Sequence, residues 1–162
     1  MVKSYLRYEP RASLGVVVSG ASTHPPAALL DRGGRLCFAA AGENVVVWEA
    51  KRGVQVALWR GDKHEVTALA LSPDGATAAV GYADGSVQLW QHPSGISITT
   101  FNGHRNAVSA LAFDRTGTRL ASGSKDTDVI VWDVVGERGL FRYARHLKAR
   151  GKTCINRVPS VG

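Results

Sequence analysis

Between residues 26 and 143 the chain alternates short apolar runs with polar turns rich in Gly, Asp and Asn, and the runs fall into three groups of four. The period-2 alternation and the brevity of each run predict β-strands, and helix periodicity is nearly absent. In the third group the strands are expected at 108–113, 118–123, 129–133 and 139–143. The second reads 66–71, 77–81, 87–90 and 96–101, and the looser first reads 26–30, 35–40, 45–48 and 54–59. Trp48, Trp90 and Trp132 each end or nearly end the third strand of a group, at a constant spacing of 42 residues.

A period of about 40–45 residues with a tryptophan closing one strand in each unit is the sequence signature of a WD-repeat blade, one four-stranded sector of a β-propeller. The turns agree. Pro73, Asp74 and Gly75 set one reversal, while Ala83-Asp84-Gly85 and Lys125-Asp126-Thr127 set the turns between second and third strands. A further β-branched run at 14–18 precedes the Pro25-Pro26 pair and is placed to add a strand. The expected fold is therefore all-β, a partial WD-repeat propeller of about three blades plus an N-terminal strand. Residues 1–13 are an N-terminal extension, 14–142 the partial propeller (blades about 26–60, 66–101 and 108–143), and 143–162 a basic, disordered, non-propeller tail. Propellers carry about 4–8 blades, so three do not close a ring.

The net charge of +7 points first to nucleic acid, but its distribution changes that reading. Residues 143–162 hold Arg145, Lys148, Arg150, Lys152 and Arg157 without an acid, and residues 12–142 balance 12 basic against 12 acidic residues. A neutral body argues against direct electrostatic capture of phosphates by the blades. Cys37 and Cys154 lie 117 positions apart with no CxxC or Cys/His zinc spacing, which fits reduced thiols in an intracellular compartment. No apolar stretch reaches the roughly 20 residues of a membrane helix, and no secretory signal is evident.

His104, Ser122, Asp126 and Trp132 occupy positions that form a buried hydrogen-bonded relay in such a blade. The imidazole can donate to the carboxylate and bond the hydroxyl, which can accept from the indole N–H. A Ser-His-Asp hydrolase reading is disfavoured, because a serine in mid-strand beside that tryptophan faces no pocket. The second unit keeps Asp84 and Trp90 but has Asp62 and Val80 at the histidine and serine positions, and the first keeps only Trp48. Degenerate copies suit architecture better than catalysis. No catalytic residue, cofactor site or metal site is expected: Gly81, Gly85 and Gly123 lack a phosphate-loop pattern, and His24, His64 and His92 lie on separate loops. The loops at 62–65, 82–85, 104–107 and 125–128 should emerge on one rim. Lys63, His64, Glu65, Tyr82, Arg105, Asn106 and Lys125 make that rim the candidate partner-binding surface, in a mixture that fits protein better than phosphate.

Four strings carry a more specific likeness: Tyr5-Leu6-Arg7-Tyr8, the run 79–86 (AVGYADGS), Phe101-Asn102-Gly103-His104, and the run 119–134 (RLASGSKDTDVIVWDV). In order and spacing they resemble the N-terminal blades of the WD repeat-containing protein 3 family, over about residues 3–142. The resemblance implies a non-catalytic scaffold of the small-subunit processome, in the nucleus and nucleolus. Its implied partners are other processome proteins, with U3 small nucleolar RNA and pre-ribosomal RNA contacted indirectly, and no membrane or small-molecule substrate. After Arg142 the likeness stops: a fourth Gly-His opening is replaced by Arg145-His146. A truncated isoform, a read-through or an incomplete gene model would each read this way. The alternatives are a generic WD-repeat interaction adaptor and a truncated product without independent function.

Overall fold

The computed structural model describes residues 27–61 and 63–144. The expected strand at 14–18, the N-terminal extension and the basic segment from 145 onward lie outside the described residues. Twelve strands make up the described chain, in three four-stranded antiparallel sheets. The first sheet holds β1 (Ala28–Leu30), β2 (Leu36–Ala41), β3 (Asn44–Glu49) and β4 (Val54–Trp59). In the second, β5 (Val66–Leu71), β6 (Thr77–Tyr82), β7 (Val87–Gln91) and β8 (Ile96–Phe101) follow in the same order. The third contains β9 (Val108–Phe113), β10 (Arg119–Ser124), β11 (Val129–Asp133) and β12 (Arg138–Tyr143). Each strand pairs with its neighbour in sequence, so every sheet is a simple meander. Tyr143 pairs with Val129 and belongs to β12 rather than to the tail.

The sheets pack face to face through two cores. Phe38, Val45, Val47 and Trp59 of the first sheet meet Val66, Ala78, Val80 and Trp90 of the second. The opposite face of the second sheet gives Ala79, Val87, Leu89 and Phe101 to a cluster with Val108, Leu120, Ile130 and Trp132 of the third. Because β6 and β7 are covered on both sides, they are buried continuously from Ala78 to Tyr82 and from Val87 to Trp90 instead of alternating, with Gln88 the one polar side chain in the second run. A fully buried valine or leucine such as Val80 or Leu89 contributes about 1.5–3 kcal/mol relative to exposure.

A stacked aromatic pair spans each boundary. Trp59, ending β4, stacks on Trp90 with ring centroids 5.9 Å apart and planes inclined by 5°. Phe101, ending β8, stacks on Trp132 at 4.9 Å and 16°. Trp59, an aromatic at the end of an outer strand where packing is the usual role, is accordingly only 2% exposed. Tyr143 holds the same place in the third sheet and is 59% exposed. Polar contacts add to the boundaries: the Thr67 hydroxyl donates to the Val108 carbonyl at 2.6 Å, and the Val66 N–H donates to the Gly42 carbonyl at 2.9 Å.

A bulge recurs beside each tryptophan. The pairing of third and fourth strands shifts register between Val47 and Trp48, between Leu89 and Trp90, and between Val131 and Trp132. An extra residue in one strand increases the local twist, and here it does so at the same place in all three sheets.

A buried relay beneath a candidate interaction rim

β9 and β10 meet β11 where the relay residues converge. The loop entering β9 supplies His104, β10 supplies Ser122, the β10–β11 turn supplies Asp126, and β11 supplies Trp132. His104 Nδ1 lies 3.2 Å and 3.3 Å from the two Asp126 oxygens, and its Nε2 lies 2.8 Å from Ser122 Oγ. Trp132 Nε1–H donates to the same Ser122 oxygen at 2.8 Å. A carboxylate only accepts, so Nδ1 carries the proton of the neutral ring and Nε2 accepts from the serine hydroxyl. Ser122 is 0% exposed, its proton directed at His104 Nε2 and one lone pair taken by the Trp132 N–H, both inside the blade. No substrate carbonyl can reach it.

Asp126 anchors the turn above. Its oxygens accept from the backbone N–H of Arg105 at 2.8 Å and of Asp128 at 2.9 Å. Burial acts to raise its pKa, but these two amides and the His104 ring outweigh it and hold the carboxyl below its ordinary value. Arg142 on β12 closes the corner, with its guanidinium 2.7 Å from Asp128 and 3.9 Å from Asp126.

The second blade keeps only part of this arrangement. With Val80 at the serine position, the Trp90 N–H is buried without a hydrogen-bond partner, as is that of Trp59. Asp84 holds its own turn by accepting from the N–H and hydroxyl of Ser86 at 3.0 Å and 2.7 Å. His64 lies 3.7 Å from Asp84. Position 62 lies outside the described residues. Trp48 is half-buried on the third strand of the first sheet.

The rim loops approach one another through short contacts. Ala83 N–H donates to Glu65 O, Lys125 N–H to Ala107 O, each at 2.9 Å, and the Ser124 hydroxyl to Asn106 O at 2.7 Å. Gly85, with φ of 95°, lets the second blade's turn meet the loop entering β9: a Cβ there would fall 2.8 Å from His104 O. Lys63, His64, Arg105, Asn106 and Lys125 are exposed on these loops and Glu65 is half-buried. Tyr82 differs from them. It is 4% exposed, packed into the first core, and its hydroxyl donates to Gln88 Oε1 at 3.0 Å. Its ring is apolar enough to prefer the sheet boundary to the rim surface.

The remaining candidates are dispersed. His92 packs on Phe38 and Trp59, far from the relay in the fold, with its Nδ1 unpartnered and its pKa lowered by burial against a smaller raising effect of Asp31. Among the described residues no group of three or more His, Cys, Asp or Glu could hold a metal, Cys37 is a free thiol, and no helix is long and apolar enough to cross a membrane. Sequence reasoning missed the aromatic stacks, Arg142 and the hydrogen-bonded Tyr82-Gln88-Ser97 chain. The 42-residue spacing of Trp59, Phe101 and Tyr143 was the available signal for the first. For Arg142 and Gln88, only the sheet register reveals the partner.

The WD domain, G-beta repeat family matches residues 53–91 and 95–133. Human and mouse WD repeat-containing protein 3 are each 44% identical over 86 residues, 53% of this chain. The Dictyostelium discoideum homolog is 40% identical over 88 residues. The chain spans about 9% of the length of these relatives. Among solved structures it is similar to that of U3-55K, with TM-score 0.71 and 27% identity over 80% of this chain and 42% of that one. The crystal structure of the RRP9 WD40 repeats is similar at TM-score 0.70 and 27% identity, over 80% and 41% of the two chains. Repeats of this kind are scaffolds rather than enzymes, and three four-stranded sheets with two matched repeats give the described chain the fold of a partial WD-repeat propeller.

Proposed function

We propose that this chain is a non-catalytic scaffold unit of the small-subunit processome, the nucleolar assembly in which pre-18S ribosomal RNA matures on U3 small nucleolar RNA. The observation that carries this reading is the 44% identity to WD repeat-containing protein 3. The likeness to U3-55K supports it. In this reading the relay of His104, Ser122, Asp126 and Trp132 is structural and fixes the loops, while Lys63, His64, Glu65, Arg105, Asn106 and Lys125 meet other proteins, with Tyr82 beneath them. The charge balance of the repeat body supports protein contacts, with RNA held by those companions.

The test is purification of the tagged chain from nucleoli. U3 RNA and processome proteins are expected to co-purify, and a variant reversing charge at Lys63, Arg105 and Lys125 should lose them while keeping its β circular dichroism. Recovery of the chain without U3 RNA, or with membrane or signalling partners instead, would overturn the assignment.

A further inference from the structure

Asp126 and Asp84 are the same carboxylate one repeat apart, but only one of them is covered. In the third blade the Asp126 side chain is 7% exposed, because His104 and the Arg142 guanidinium lie over it. In the second, the Asp84 side chain is 35% exposed. The difference follows from the sequence at the covering positions. Thr100, paired with Gln88, stands where Arg142, paired with Ile130, stands 42 residues later. Ser86 likewise replaces Asp128. Where the third blade is filled by its own arginine, the second has a cleft of about 410 Å³ whose lining includes Asp84, Ser86, Gln88, Thr100 and Asn102.

We propose that this cleft is a subsite for an arginine side chain presented by a partner protein, which takes the place that Arg142 occupies in the third blade. The proposal rests on the rim being a protein-docking surface and gives one part of it a chemistry. The Asp84 oxygen facing His64 can accept from a guanidinium, since the other is engaged by Ser86. Thr100, Asn102 and the second lone pair of Gln88 Oε1 offer further acceptors around it, which suits the planar fork of five N–H donors better than a lysine ammonium. Lys63, which also lines the cleft, does not oppose this. Arg105 stands at its position in the third blade, where Arg142 is accommodated beside it. His64, with its side chain 53% exposed, can swing away from Asp84 to admit the incoming group.

The experiment uses the full 162-residue chain and a short Gly/Ser peptide containing one arginine, with citrulline and lysine versions as controls, followed by titration calorimetry and amide chemical shifts at low ionic strength. The arginine peptide is expected to bind and to shift Ser86 and Gln88, and the citrulline peptide to bind at least about tenfold more weakly. Asp84→Asn, which keeps the oxygen that accepts from Ser86, should weaken the arginine peptide by about the same factor. Thr100→Arg should fill the cleft from within and abolish binding without unfolding the sheet. Binding that survives Asp84→Asn, binding of citrulline as tight as arginine, or no binding of the arginine peptide would each overturn the subsite. Such a failure leaves the rim reading intact if nucleolar partners are still recovered, and loss of those partners with the peptide still bound separates the two in the other direction.

Discussion

At the scale of single residues, Ser122 carries the most consequence for its size. Ser122→Ala leaves the Trp132 N–H and one His104 nitrogen buried without a partner, and a loss of about 2–4 kcal/mol is expected from urea unfolding. The converse change belongs in the second blade. Val80→Thr offers an acceptor to the unpaired Trp90 N–H at nearly constant volume, so its cost should fall below about 1 kcal/mol, less than an unmatched buried hydroxyl would incur. Equal costs at the two sites would show that the indole bond contributes nothing. Acid sensitivity also resides in individual residues. Burial lowers the pKa of His92, so the unfolded chain binds its proton first; stability is lost as pH falls below the ordinary 6.5 and through the lower folded value. Asp126 is likewise held below its ordinary 3.8, and its contribution is full above that value and fades further into acid. Urea midpoints measured from pH 7 to 3 should fall in two stages, with His92→Gln flattening the first and Asp126→Asn the second. The relay residues were legible in the sequence because their spacing is tied to the repeat. The buried state of Tyr82 was not, since a tyrosine at a strand end suits either the rim or the core.

At the scale of the strand, the second sheet is the most constrained element, being covered on both faces. Gly81 sits where β6 meets β9, and a Cβ there would lie 2.7 Å from Val108 Cγ1 and 3.4 Å from the Ala68 Cβ. Gly81→Ala is expected to cost about 1–3 kcal/mol by overpacking, although its φ is ordinary. A thermal melt checks this, and a paired Val108→Ala change should recover part of the loss. A neutral Gly81→Ala would mean that the sheets can part locally. Strand order and most boundaries were readable from alternation and turn residues. The bulges beside Trp48, Trp90 and Trp132 were not, because an extra residue in β4, β8 or β12 leaves the apolar pattern of those exposed outer strands unchanged.

At the scale of the whole molecule, the third sheet turns a face with Val129 and Val131 half-buried and Phe141 and Tyr143 each 59% exposed. Val129, Val131 and Tyr143 stand where Val87, Leu89 and Phe101 are buried between the second and third sheets, and Phe141 where Thr99 is half-buried. The isolated chain is expected to associate weakly with itself, and sedimentation velocity should show concentration-dependent species that Phe141→Ser with Tyr143→Ser shifts towards monomer. A monomer at all concentrations before substitution would contradict this. The matched repeats add a consequence of the ring stacks. Residues 53–91 begin just before β4 and end with β7, and residues 95–133 begin just before β8 and end with β11, so each carries both rings of one stack. Every repeat is thus a hinge pin with its own socket, out of step with the sheet it helps to build. Duplicating or deleting one whole repeat adds or removes a complete joint and leaves the neighbouring joints matched, which gives this architecture a way to change length without redesigning its seams.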